Sequence, residues 1–218
     1  MIHQLPKVGI LIIGVTVLMT IVGFQNPTFF DRYQFQISKI KKGEYIRLLT
    51  SGFLHVNTTH IVFNMISFYF FVNFVVGWMG VFPFLVLYFG SLLMGNIFGY
   101  LYHFKDDYYS AVGASGAVTG VLFSALLLYP GIELYLFFIP IPIPGYIFGI
   151  GYMIYTLYGM KAQNDSIGHT AHFGGAIGGI LITIAFVPEV ISSSLFMLSI
   201  LSITTLIAGV LLYSQQKK

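Results

Sequence analysis

His169-Thr170-Ala171-His172-Phe173-Gly174-Gly175-Ala176-Ile177-Gly178-Gly179 heads an apolar run that continues to Val187. On a helix, His172, Gly175 and Gly179 follow at i, i+3 and i+7 and share one face. That face is almost bare backbone, so a second helix can come very close to it. Membrane helices associate through such small-residue faces, because lipid removes the hydrophobic drive between them. A matching small face runs through Ala111, Ser115, Gly116 and Gly120. Pairing of the two faces brings His172 to Ser115 and closes a helical bundle around a polar centre.

Composition agrees with a bundle in lipid. Hydrophobic residues make up 57% of the 218 and charged residues 8%, whereas a soluble globule devotes about 25% of its residues to Asp, Glu, Lys and Arg. Mean hydropathy is +0.87. The net charge of +3 comes from basic residues scattered between apolar runs, with no stripe or arm to hold nucleic acid. Cysteine is absent, which excludes disulfides, a thiolate nucleophile and Cys-ligated metal.

A spanning helix needs about 20 largely apolar residues. That length predicts seven spans, near 8–24, 58–77, 80–102, 113–129, 139–160, 170–187 and 190–213, in an all-α polytopic membrane protein. Lys7 precedes the first run without a small-residue cleavage site after it, so that run reads as an uncleaved span. The Pro-rich stretch Ile139–Pro144 lacks three backbone donors, and regular helix is expected only after Pro144. The connection over 25–57 mixes Asp31, Arg32, Lys39, Lys41, Lys42, Glu44 and Arg47 with aromatic and aliphatic residues. It is too apolar for a linker and too charged for a span, so a structured loop at the membrane interface is expected.

Polar groups inside spans are costly and therefore candidates for function. Gly113-Ala114-Ser115-Gly116 opens the fourth span, where free backbone N–H groups and the helix dipole favour a developing anion. Ser115 is a candidate nucleophile there, and equally a helix cap or part of a packing seam. His172 is a candidate general base, and equally a buried histidine bound to a carbonyl. His60 and Asn64, four residues apart, face one way and are suitable oxyanion donors, or a hydrogen-bonded joint between helices. No carboxylate lies inside a span, so the pattern reads as a Ser–His dyad without the third member of a triad.

These pieces resemble the rhomboid family. The resemblance runs from about Gly43 to Gly179 and rests on four segments in order. They are Gly43-Glu44-Tyr45-Ile46-Arg47-Leu48-Leu49-Thr50 leading to Phe53-Leu54-His55, then His60-Ile-Val-Phe-Asn64, then Gly113-Ala114-Ser115-Gly116, then Ala171-His172-Phe173-Gly174-Gly175. It implies an intramembrane serine protease, with no cofactor, that cuts single-span membrane proteins within the lipid bilayer. By position, Ser115 is the nucleophile and His172 its base. His60 and Asn64, with backbone N–H groups at Ser115 and Ala114, form the oxyanion hole. Glu44 and Arg47 have a structural role in the embedded first loop, and Gly113, Gly116, Gly175 and Gly179 serve helix packing. The resemblance further implies a six-helix core over 1–187 and one additional helix over 188–218. It places a multi-pass chain in the cell membrane, with a cytoplasmic N-terminus and a cavity that opens on the exocytoplasmic side.

Two positions and the charge of one loop depart from what the family pattern implies. Ile46 stands where members carry Trp. Thr119 stands where members carry an aromatic that packs on the catalytic histidine, so another group must hold His172 or hold it more loosely. The loop over 25–57 contains five of the ten Lys and Arg residues, against the positive-inside rule. Two rival readings compete: a site of His55, His60, His169 and His172 around zinc, which lacks HExxH and a carboxylate, and a non-enzymatic client-binding protein or transporter.

Overall fold

A computed structural model describes residues 5–135, 141–162 and 167–216. The first helix, α1 (Lys7–Gln25), leads into the 25–57 connection. That connection folds as α2 (Pro27–Tyr33), β1 (Phe35–Gln36), α3 (Ile37–Ile40), α4 (Arg47–Thr50) and a 3-10 turn at Ser51–Phe53. Then come α5 (Thr58–Met79), α6 (Val81–Tyr102), β2 (Ser110–Ala111) and α7 (Ser115–Leu128). The remainder is β3 (Glu133–Leu134), β4 (Ile143–Pro144), α8 (Gly145–Ala162), α9 (His169–Phe186), α10 (Val190–Ser193) and α11 (Leu195–Gln216).

The protein is an all-α polytopic membrane fold. Five helices are long and apolar enough to cross a bilayer: α1, α5, α6, α9 and the Leu195–Leu212 part of α11. The other two expected spans differ. Helix α7 has 14 residues, about 21 Å at 1.5 Å per residue, against about 30 Å of hydrocarbon. Every residue from Gly116 to Leu128 is buried, because α5, α6, α8 and α9 surround α7 and shield it from lipid. Helix α8 has 18 residues, and four tyrosines and four glycines lower its hydropathy. It begins at Gly145, as the prolines predict, while 139–140 of the expected span lie outside the described residues.

The seventh span is interrupted. Ser194 leaves helical geometry at φ −128°, and its hydroxyl donates to the Leu127 carbonyl at 2.7 Å, which ties the break to the end of α7. Polarity is the reverse of a soluble protein. Leu11, Leu18, Phe70, Leu206 and Val210 are exposed on the outside, while Thr16, Ser91, Ser124 and Thr183 are buried inside.

The first loop is built as a small unit with its own core of Phe35, Ile37 and Ile40, packed on Leu48, Tyr100, Tyr109 and Ala111. Arg47 organises it. Its guanidinium is buried, pairs with Glu44 at 2.7 Å, and donates to the carbonyls of Asp31 (2.5 Å) and Gln34 (2.9 Å). Asn96 of α6 clamps the far side, donating to the Leu48 carbonyl and the Ser51 hydroxyl. Pairing of Phe35 with Ala111 and Gln36 with Ser110 joins the loop to the segment just ahead of Ser115. Tyr45 and Ile46 point outward from the loop.

Candidate active site

Three helix N-termini meet at the loop end of the bundle: α5 with His60, α7 with Ser115, and α9 with His172. Helix α5 starts cleanly because the Asn57 side chain accepts the His60 N–H at 2.8 Å, a standard N-cap.

Ser115 is the first residue of α7. Its own N–H therefore has no carbonyl one turn back to bond within the helix. The turn ahead of it depends on Gly113, whose φ of +136° is poorly tolerated by residues with a Cβ. The Gly113 N–H donates to the Ser51 carbonyl at 3.0 Å. A Cβ there would lie 2.8 Å from the His60 ring and 3.8 Å from Ser115 Oγ. The bare Gly113 Cα is thus the floor between the His60 ring and the serine hydroxyl.

Asn64 is buried, and its Nδ2 donates to the His60 carbonyl at 2.9 Å. A second N–H and the Oδ1 remain on the same side chain. The buried Nδ1 of His60 meets no hydrogen-bond partner among the described residues. Leaving such a group unsatisfied costs about 1–3 kcal/mol, an expense typical of a group kept for a transient partner.

The Ala114 N–H is engaged differently from the oxyanion role expected of it. It donates to His55 Nε2 at 3.4 Å. His55 is fully buried, and its Nδ1 lies 3.0 Å from Thr20 Oγ1. Since that hydroxyl donates to the Phe53 carbonyl, it accepts from His55 Nδ1–H, which leaves Nε2 as the acceptor for Ala114. Burial, and then the nearby His60, pushes the His55 pKa down to about 3. A neutral His55 thus ties α1 to the turn that carries the serine. This role was not readable in the sequence.

Helices α7 and α9 cross backbone on backbone. A Cβ on Gly116 would lie 3.3 Å from the Ala171 carbonyl, and one on Gly175 would run into the Gly116 carbonyl. Ser115 and His172 are each the sequence neighbour of a residue in this crossing. A second path links them: Thr119, one turn after Ser115, is hydrogen-bonded to the Tyr152 hydroxyl at 2.6 Å. The Tyr152 ring stacks on the His172 ring at 5.8 Å and 27°. The aromatic neighbour of His172 therefore comes from α8, where four tyrosines in an apolar helix gave no sign of which one faces the site.

The four histidines form two pairs, His55–His60 at 4.9 Å and His169–His172 at 5.8 Å between ring centroids. Among the described residues no group of three or more His, Asp or Glu is placed to hold a metal ion. A cavity of about 160 Å³ opens beside the second pair, with a mixed lining that includes His103, Asp106, Tyr109, Met160, Ile167 and His169. His103 stacks flat on Tyr109 at 3.5 Å. Burial takes its pKa down to about 4, with the Asp106 charge acting the other way.

Several curated rhomboid proteins are similar to this chain. RHOMBOID-like protein 12, mitochondrial, of Arabidopsis thaliana is 30% identical over 168 residues, covering 70% of this chain and 50% of that protein. YdcA of Bacillus subtilis is 32% identical over 154 residues, covering 69% of this chain and 71% of its own length. The rhomboid protease GluP of Bacillus subtilis is 29% identical over 177 residues, 81% of this chain and 33% of that protein. The chain thus spans about half the length of the Arabidopsis relative. The rhomboid-domain model matches residues 42–189, which takes in the later part of the first loop, with Glu44 and Arg47, and every helix N-terminus of the site, and the chain belongs to the rhomboid family.

Proposed function

We propose that this rhomboid protein is an intramembrane serine endopeptidase that cleaves transmembrane segments of other membrane proteins. Ser115 is its nucleophile and His172 its base. The observation that carries this reading is the path from Thr119 through Tyr152 to His172, which links the imidazole to the helix that carries Ser115.

In the reaction, Ser115 Oγ attacks the scissile carbonyl while His172 takes its proton. The tetrahedral oxyanion is met by His60, by the second N–H of Asn64 and by the Ser115 N–H. His172 then gives the proton to the leaving amine. Water then hydrolyses the acyl-enzyme with His172 again as base. Glu44 and Arg47 act only by holding the loop. No metal and no cofactor enters these steps. Residues 1–187 form the protease core and 188–218 an added helix. The N-terminus is cytoplasmic and the site opens to the exocytoplasmic side of the cell membrane.

Ser115→Ala and His172→Ala are expected to abolish cleavage of a reporter transmembrane substrate by the purified, folded protein. Asn64→Ala should slow turnover by about 10²-fold, the usual loss for one oxyanion donor. Wild-type cleavage by Ser115→Ala would overturn Ser115 as the nucleophile, and absence of cleavage by the unmutated protein would favour a client-binding protein without activity.

A further inference from the structure

Tyr152 touches the histidine through its ring and the serine helix through its hydroxyl. The ring is stacked on His172 at 5.8 Å and 27° and is itself braced by Phe148 at 6.2 Å and Phe123 at 5.9 Å. The hydroxyl meets Thr119, which is buried in α7. The contact is part of a register and not an isolated touch. Helices α8 and α9 run antiparallel, and Tyr155, three residues after Tyr152, packs edge-on against His169, three residues before His172, at 5.2 Å. Gly159 makes room one turn further along, since a Cβ there would run into the His169 ring.

We infer that Tyr152 is the positioning residue of the base, with Thr119 fixing its ring. Resting on the assignment of His172 as base, this gives Thr119 and Tyr152 a shared role in the reaction that neither residue has through contact with substrate. A ring stacked on the imidazole restricts its tilt without drawing on either ring nitrogen. The Thr119–Tyr152 hydrogen bond sets the height of that ring relative to Ser115, because Thr119 and Ser115 lie on one face of α7. Base and nucleophile are thereby referenced to the same helix, although they sit on different ones.

The test compares Tyr152→Leu, Tyr152→Phe, Thr119→Val, Thr119→Ser and the double variant Thr119→Val/Tyr152→Phe. Each full-length protein is assayed for cleavage of a transmembrane reporter, for labelling of Ser115 by a fluorophosphonate, and for melting temperature. Tyr152→Leu should lower kcat and the labelling rate about tenfold, the worth of an aromatic contact, with KM unchanged. Tyr152→Phe and Thr119→Val should each lower kcat about threefold, as for one neutral hydrogen bond. The double variant should be no worse than the weaker single, because both remove one bond. Thr119→Ser should restore the wild-type rate. Wild-type kcat in Tyr152→Leu, losses confined to KM, or additive losses in the double variant would overturn the inference. His172→Ala separates the two levels. If it retains activity, the assignment of the base itself fails; if it is inactive while Tyr152→Leu is unaffected, only the positioning role falls.

Discussion

His55 is the residue whose environment departs furthest from its chemistry in water. It is enclosed, it donates through Nδ1 to Thr20, and it accepts the Ala114 N–H at Nε2. A proton added at Nε2 would face that N–H donor, so only the neutral ring fits. Its folded pKa of about 3 lies below the ordinary 6.5, so the unfolded chain takes up the proton first as pH falls. Stability from this group is complete above about 6.5 and is lost progressively as pH drops toward 3. His103, lowered to about 4, acts with the same sign. The melting temperature in detergent should fall between pH 7 and pH 4. His55→Asn should be less stable at pH 7 but less sensitive to acid; an equally steep acid dependence in that variant would remove His55 as the cause. Ser115 and His172 stand out in the sequence because polar side chains are costly within apolar runs and glycines flank both of them. His55 stands out only as one more histidine, because its partners are 35 and 59 residues away. A hydrogen bond that distant leaves no local spacing to read.

At the scale of the element, α9 is a helix with two bare sides. Gly175 and Gly179 press on the carbonyls of Gly116 and Gly120 in α7, the face that the i, i+3, i+7 spacing picks out. Gly174 and Gly178 press on α6, where Cβ atoms would lie 2.6 Å from the Met94 carbonyl and 2.9 Å from the Ser91 Cα. This second seam is also written in the sequence, but one periodicity admits only one face at a time, and its offset by one residue was hidden behind the first. The limits of α7 were illegible for another reason. Hydropathy reports an apolar environment and cannot tell lipid from surrounding protein, so a short buried helix reads as a span. Gly175→Ala should cost about 1–3 kcal/mol, the usual penalty for overpacking, and should lower activity by pushing α9, and His172 with it, away from Ser115. Gly151→Ala on α8 is the matched control, since no atom lies within 4 Å of a Cβ there. Equal melting temperatures for the two variants would show that the α7–α9 crossing is not closed as described.

Over the whole molecule, charge and family pattern pull in opposite directions. Helix α1 starts at Lys7 on the end remote from the site. Arg32, Lys39, Lys41, Lys42, Arg47, Lys105 and Lys161 all lie at the end where the helix N-termini of the site converge. Counted simply, that excess would turn the site toward the cytoplasm. Two of those charges are spent within the fold, however: Arg47 is buried against Glu44, and Lys41 pairs with Asp107 at 2.7 Å. A loop that folds into its own core also presents fewer free cations during insertion than its composition implies, which favours the proposed exocytoplasmic site. The chain has no cysteine, so single cysteines can read the orientation directly. Tyr108→Cys replaces a side chain that is 93% exposed between α6 and α7. Gly131→Cys lies past the C-terminus of α7, at the opposite end, with open space around a Cβ. Under the proposed orientation, a membrane-impermeant maleimide added to intact cells labels Tyr108→Cys at once and Gly131→Cys only after permeabilisation. The opposite pattern would mean that unpaired Lys and Arg outweigh the folded loop, and that the site faces the cytoplasm.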